Sequence, residues 1–238
     1  MTKSLYNDNA YLKSCAAKII SVDDVTVQLD QTVFYPLGGG QLGDTGILSV
    51  NGEDYNIIDT IWGEGTKISH ILDRPLAADA ISADVTLSLD WQRRFRLMQI
   101  HTCLHLICSM FDYPIVGARV GPDKGHLDYL TEGAAIDKIA SNEILQDLIA
   151  QNFTIETEKV AEDEFDEFMQ GRHLIGGMPP VKNGVVRFVR IGDVAAPLDY
   201  QPCGGTHVLN TSEIMPLQVQ SIKSKGKGIR RLAVQFSG

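Results

Sequence analysis

The hydrophobic side chains of this chain change their spacing at Asp90, and that change separates two kinds of architecture. Before it, short runs such as VTVQL (25–29), ILSV (47–50), YNII (55–58) and VTLSL (85–89) alternate apolar and polar residues between turn residues, which is the period of half-buried strands. Asn51-Gly52 between two of these runs marks a two-residue hairpin, because both residue types tolerate positive φ. After it, Leu97, Ile100, Leu104, Ile107 and Phe111 recur every three or four positions. Asp90 is a side chain suited to cap a helix N-terminus, and the spacing predicts a helix of about twenty residues.

Further on, Ile136, Ala140, Ile144 and Leu148 predict a second helix, TIETEKV (154–160) a strand, and Phe165, Phe168 and Met169 a shorter helix. VVRFVRI (185–191), PLQVQSI (216–222) and RRLAVQF (230–236) alternate again, and the glycines of KGKG (225–228) suit a turn between the last two. The predicted fold class is α+β in two domains. Residues 1–89 form a small antiparallel β-barrel, and residues 90–238 a two-layer α+β sandwich with helices on one face of an antiparallel sheet.

No stretch reaches the roughly 18 apolar residues of a membrane span, and the start lacks the apolar core of an export signal. Four cysteines, Cys15, Cys103, Cys108 and Cys203, are too few and too irregular for a disulfide scaffold, which points to a reducing, cytoplasmic location without membrane association. The net charge of −9 argues at first against a polyanionic partner. The charge is unevenly spread, however, with 5 basic and 13 acidic side chains in residues 1–90 against 16 and 17 in residues 91–238. Two basic clusters stand out: Arg93, Arg94 and Arg96, and Lys223, Lys225, Lys227, Arg230 and Arg231. Each is either a nucleic-acid contact or a solvated surface.

In HTCLH (101–105), His101 and His105 are four apart and share a helix face, close enough to bind one ion. In PCGGTH (202–207), Cys203 and His207 are four apart around two glycines that let a loop fold tightly. Two such clips of Cys and His are a zinc-like set, His101, His105, Cys203 and His207, for one Zn2+ per chain. Cys103 points off the shared histidine face and reads as a buried apolar residue, as do Cys15 and Cys108. His70, His126 and His173 lack partners at metal spacing, although His126, in GPDKGHLDY, suits substrate contact from a polar loop. The segment FYPLGGGQLGDTG (34–46) has five glycines in nine residues around Gln41, and it is neither a Walker loop nor a dinucleotide fingerprint. It is either a barrel turn or a ligand-approaching loop.

In chain order the FYPxGGGQxGDTG loop, Asp90-x-x-Arg93-Arg94, HTxxH and CGGTH resemble the editing domain of alanyl-tRNA synthetases. They resemble still more closely its free-standing AlaX-type relatives. The editing domain of threonyl-tRNA synthetases shares the HxxxH and CxxxH pairs but not the GGGQ loop. The GGGQ-bearing barrel, with no aminoacylation module ahead of Met1 and no C-terminal dimerisation module, implies the medium-length form. The resemblance implies zinc-dependent hydrolysis of the ester joining serine, or glycine, to the terminal adenosine of tRNA for alanine, with no obligate protein partner. Its zinc ligands fall on His101, His105, Cys203 and His207, and its loop glutamine on Gln41; Cys103 stands where the family usually has Ala. Selection against serine by a second, hydrolytic site is needed because an added hydroxyl is weakly discriminated in an alanine pocket. A polar group that bonds the serine hydroxyl spares alanine, which would leave that group unpaired at a cost of about 1–3 kcal/mol. Gln41, Thr206 and Thr102 are the candidates, in that order. Four protein ligands close a tetrahedron, so the ion either positions substrate or expands its shell to act on it. Two alternatives stand beside this, a zinc-dependent esterase for a small acyl substrate and a non-catalytic zinc-containing RNA-binding module.

Overall fold

The computed structural model describes residues 2–168, 181 and 184–237, which leaves Met169 and His173 outside it. The chain divides into two compact units, Met1–Phe95 and Arg96–Gly238. Among the described residues no helix is long and apolar enough to cross a membrane.

The first unit holds β1 (Lys3–Ser4), β2 (Ser14–Asp23), β3 (Thr26–Leu29), β4 (Gln31–Thr32), β5 (Gly46–Val50), β6 (Glu53–Trp62), β7 (Ile68–Leu72) and β8 (Asp84–Leu89). Six of these close a barrel of antiparallel pairs in the order β2-β3-β7-β6-β5-β8, completed where Ser14 of β2 meets Ser88 of β8. The alternating runs send Val27, Leu29, Leu48, Ile57 and Leu87 into its core. Val50 pairs with Glu53 across the Asn51-Gly52 turn, whose φ values of 53° and 82° are those of a type I′ hairpin.

The glycine-rich loop ends on a buried ion pair. Arg94 donates through Nε to both carboxylate oxygens of Asp44 at 2.9 Å, and through its other nitrogens to the carbonyls of Val33 (2.7 Å) and Ala10 (3.0 Å). The side chains of both residues are fully or almost fully buried. Arg94 is therefore a structural side chain and not the phosphate contact its neighbours in sequence suggest. Gly43 is fixed by close approach, since a Cβ there would lie 2.1 Å from the Thr60 carbonyl oxygen.

His70, inside the barrel, accepts from or donates to Thr32 Oγ1 through Nε2 (2.8 Å) and faces the Val27 carbonyl through Nδ1 (3.2 Å). Phe34 N–H already donates to Thr32 Oγ1, so a neutral ring with Nδ1–H toward Val27 satisfies every group. Burial pulls the His70 pKa down from 6.5 to about 4. The unfolded chain binds this proton first, so stability is whole above pH 6.5 and is lost as pH falls toward 4, by about 3 kcal/mol in total. In urea unfolding at stepped pH, His70→Gln should flatten the dependence between pH 6.5 and 4 by up to about 1.4 kcal/mol per pH unit. Parallel curves for the two proteins would remove His70 as the cause.

Helix α1 (Trp91–Cys108) starts as the period change predicts, with the Asp90 carboxylate accepting from Arg93 N–H at 3.1 Å. From Leu97 to Ile107 every residue is buried, so α1 is a core helix rather than one with a single apolar stripe. The second unit continues through β9 (Ile115–Val120), β10 (Lys124–Leu130), α2 (Lys138–Ala150), β11 (Ile155–Ala161), α3 (Glu162–Phe168), β12 (Val185–Gly192), β13 (Pro197–Pro202), β14 (Leu217–Gly226) and β15 (Ile229–Phe236). Its strands make two sheets, β14-β15-β10-β9 and β11-β12-β13. Residues Lys124–Leu130, expected to be a loop around His126, are strand β10.

Helix α2 forms where expected, capped by Asp137, but Ser141 and Leu145 are its buried residues while Ile144 is exposed. Hydrogen bonding sets this orientation. Asn142 exchanges bonds with the backbone of Val219 (2.7 and 3.2 Å), and Gln146 donates to the Leu217 carbonyl (2.8 Å). Both amides satisfy backbone groups of β14, an edge strand whose free groups need cover.

Candidate metal centre

Because α1 is a continuous, buried helix here, His101 and His105 are held one turn apart with ring centroids 5.3 Å from each other. The CGGTH segment leaves β13 and brings His207 to 4.3 Å from the His101 ring and 4.7 Å from the His105 ring. Cys203 Sγ lies 3.5 Å from His101 Nε2 and 3.3 Å from His207 Nε2. The four ligand atoms of His101, His105, Cys203 and His207 all fall within 4.8 Å of one another. A tetrahedral ion with metal–nitrogen bonds of 2.0–2.1 Å and a metal–sulfur bond of 2.3 Å separates N and S by roughly 3.5 Å, so the donor set fits one metal ion.

The surroundings prepare these groups as ligands. Burial pushes the Cys203 thiol up, but the neighbouring imidazoles, His101 foremost, with hydrogen bonds from His101 and His105, outweigh it and hold the thiol well below its ordinary range. Burial and the neighbouring His101 charge hold His207 well below the usual imidazole value. His207 Nδ1 meets Thr102 Oγ1 at 3.1 Å, and His105 Nδ1 meets Asp199 Oδ2 at 2.7 Å, so each ring presents Nε2 to the cluster. Burial opposes the charge on His105, yet the Asp199 carboxylate and Cys203 raise its pKa to about 10. Gln201 Nε2 bonds both Asp199 oxygens at 3.0 Å. Arg187, on β12, donates through Nη1 to the carbonyls of Cys203 (2.6 Å) and Gly205 (2.9 Å), which fixes the loop backbone.

Comparison with known proteins follows the same division of the chain. Residues 186–233 match the family model "Threonyl and Alanyl tRNA synthetase second additional domain", and residues 7–93 match "tRNA synthetases class II (A)". The "Alanyl-tRNA editing protein AlaX-M" of Methanosarcina barkeri is 34% identical over 98% of this chain and 98% of its own length, and that of Methanosarcina acetivorans 32% identical over the same shares. The chain belongs to the AlaX-M family of alanyl-tRNA editing proteins. The alanine-tRNA ligase of Sulfurisphaera tokodaii is 36% identical over 97% of this chain, which spans 26% of the ligase. The chain covers about a quarter of the ligases it matches.

In this family member the two histidine clips meet, as their spacing predicts. Thr102 and Thr206 flank the ligands and are buried, and Thr102 Oγ1 also accepts from Val208 N–H at 3.3 Å. Gln41 belongs to the first unit and is fully buried, its backbone paired in both directions with Gly38. Cys103 is buried, its thiol pushed up to about 12 by burial. Arg93 donates to the Gly43 carbonyl (2.7 Å), Arg230 to those of Gly133 and Ala134, and Arg231 to Asp128, while Lys223, Lys225 and Lys227 are exposed. Asp199, Gln201 and Arg187 were missed in sequence. An acidic residue on an alternating stretch four positions before a ligand cysteine is the signal that points to Asp199.

A partner that orients a ligand imidazole typically contributes 10–100-fold in metal affinity. Asp199→Ala should weaken metal binding by about that factor in competition against a chromophoric chelator. Equal affinity in the two proteins would make the carboxylate a bystander.

Proposed function

We propose that the chain is an aminoacyl-tRNA hydrolase that removes serine, and also glycine, from tRNA for alanine, with one zinc ion held by His101, His105, Cys203 and His207. The observation that carries this is the cluster of those four donors, in a chain similar from end to end to proteins named for alanyl-tRNA editing. Three imidazoles and a thiolate favour zinc over the hard cations magnesium and calcium. When bound, such an ion supplies positive charge that can orient or polarise an ester.

The chain's own residues supply the rest. Asp199 and Thr102 hold the His105 and His207 rings, and Arg187 holds the loop between Cys203 and His207. Hydrolysis adds water to the ester carbonyl carbon, breaks the bond to the ribose oxygen, and releases the free amino acid and the terminal hydroxyl of the tRNA. Gln41, Thr206 and Thr102 are the candidates for the serine hydroxyl, in that order; Thr102 Oγ1 also meets His207 Nδ1 and accepts from Val208 N–H. The four cysteines are free thiols, in keeping with a cytoplasmic location.

The test is release of amino acid from tRNA for alanine charged with serine, glycine or alanine, with metal counted on the same preparation. Serine and glycine should be released, alanine retained, and zinc found near one equivalent per chain. Gln41→Ala should slow serine release while keeping the metal; because Gln41 is buried, its thermal midpoint is measured alongside. Cleavage of a small serine ester as efficient as that of the charged tRNA would point instead to a small-ester hydrolase. Binding of tRNA without any release would leave an RNA-binding module.

A further inference from the structure

The four-stranded sheet β14-β15-β10-β9 buries one face through Leu217, Val219, Leu232, Val234, Leu127 and Tyr129. Alternate side chains must then stand on its other face. The strand registers show what that face carries. Lys223 lies opposite Arg231, and Arg231 opposite Asp128; Arg119 lies opposite His126, which in turn lies opposite Ala233. Lys225 is close enough to bear on the charges of both His126 and Asp128.

Four fixed cations and a histidine thus share one face of a chain whose net charge is −9. Their acidic neighbour, Asp128, is held by Arg231 in two bonds of 2.7 Å. Arg119, Lys223 and Lys225 are exposed. Opposite Asp128 on β9 is Gly117, and opposite His126 on β15 is Ala233, so the cations rise from a low floor. The face spans three strand spacings, about 15 Å, which suits a run of phosphates better than a single carboxylate.

We propose that this open sheet face is the docking surface for the RNA body of the substrate, with phosphates on Arg119, Lys223 and Lys225. This rests on the tRNA hydrolase reading and gives it a location. It moves the contact away from the hairpin tip at Lys227 and from the helix start, and adds Arg119 and His126. Neither cluster of basic residues in the sequence contains these two, because they reach the face only through strand pairing.

The test compares wild type with the Arg119→Glu/Lys223→Glu double variant and with a charge-matched control, Lys67→Glu/Lys138→Glu, whose residues are exposed and lie off the face. Binding of uncharged tRNA for alanine is measured at several salt concentrations, and serine release over a range of charged tRNA. The face variant should bind at least tenfold more weakly, lower the slope of log affinity against log salt by about 1.4–1.8, and place its kinetic loss on KM. The control should stay within twofold of wild type. If the face variant loses thermal stability, Arg119→Gln/Lys223→Gln carries the same test, with the same fall in slope because the same two phosphate contacts are removed and a smaller loss of affinity because no repulsion is added. Binding and salt slope unchanged in a face variant, or an equal loss in the control, overturns the proposal while the hydrolase reading stands. Binding of wild type to vesicles of phosphatidylserine and phosphatidylcholine, with none to tRNA, overturns it in favour of a membrane. A wild type that neither binds nor deacylates tRNA removes the hydrolase reading and this proposal together.

Discussion

Cys203→Ser should lose most of the bound metal and at least about 100-fold of serine release, more than the 10–100-fold typical of an outer partner. The thiolate is the one anionic donor among the four, and two imidazole nitrogens lie within 3.5 Å of it. A serine hydroxyl in its place has a far higher pKa and a shorter reach, so the ion would lose both charge compensation and a soft ligand. His207→Ala should behave alike, because it removes one of the four donors, the ring whose Nδ1 Thr102 Oγ1 holds. Metal is counted on protein purified without chelator, and release is followed in a single turnover. Wild-type metal content with wild-type release in Cys203→Ser would end the assignment of this cluster.

Asp44→Ala should destabilise the protein by about 3–5 kcal/mol, the cost of leaving one partner of a buried ion pair alone. The Arg94 guanidinium would keep the Val33 and Ala10 carbonyls but lose both carboxylate bonds. Its charge would then be buried with no counter-charge from Asp44. The carboxylate also accepts from Tyr35 N–H, so the start of the glycine loop loosens with it. Arg94→Met should be comparably harmful, since it strands the carboxylate instead. Asp44→Leu/Arg94→Met should recover much of the loss, because an apolar pair of similar volume carries no desolvated charge. Urea unfolding of the full chain measures all three. A cost below about 1 kcal/mol for Asp44→Ala would mean that water reaches the pair.

Where chain-local signals suffice, the sequence could be read directly. Asp90 caps its helix, Asn51-Gly52 makes its turn, and HTCLH and CGGTH present ligands at fixed intervals. What escaped depends on distant partners. Strand β10 looked like a loop because of Gly125, yet a Cβ there would lie 2.6 Å from the Ile100 side chain, so the glycine marks close passage of α1 over the sheet. Which face of α2 is buried could not be read from the spacing that marks the helix, because Asn142 and Gln146 orient it by bonding β14. Arg94 looks like its neighbours Arg93 and Arg96 until Asp44, fifty residues earlier, is placed beside it. Asp199 shares this property, since only folding brings it to His105.

Barrel closure through Ser14 and Ser88 has a consequence for the order of synthesis. Every strand of the barrel has been made once residue 89 is available, so the first unit can close while the ribosome is still adding the second. The second unit has no such early stopping point. His101 and His105 wait for Cys203 and His207, and Lys124 of β10 waits for Gln235 of β15. At roughly 5–20 residues per second, the interval between the two ligand pairs is on the order of ten seconds. During that time the growing chain carries half a metal site and a β10 paired only with β9, its other edge open, and contacts this far apart in sequence form slowly. The nascent chain is therefore most exposed to misassembly and to capture of stray ions between completion of the barrel and arrival of the CGGTH segment.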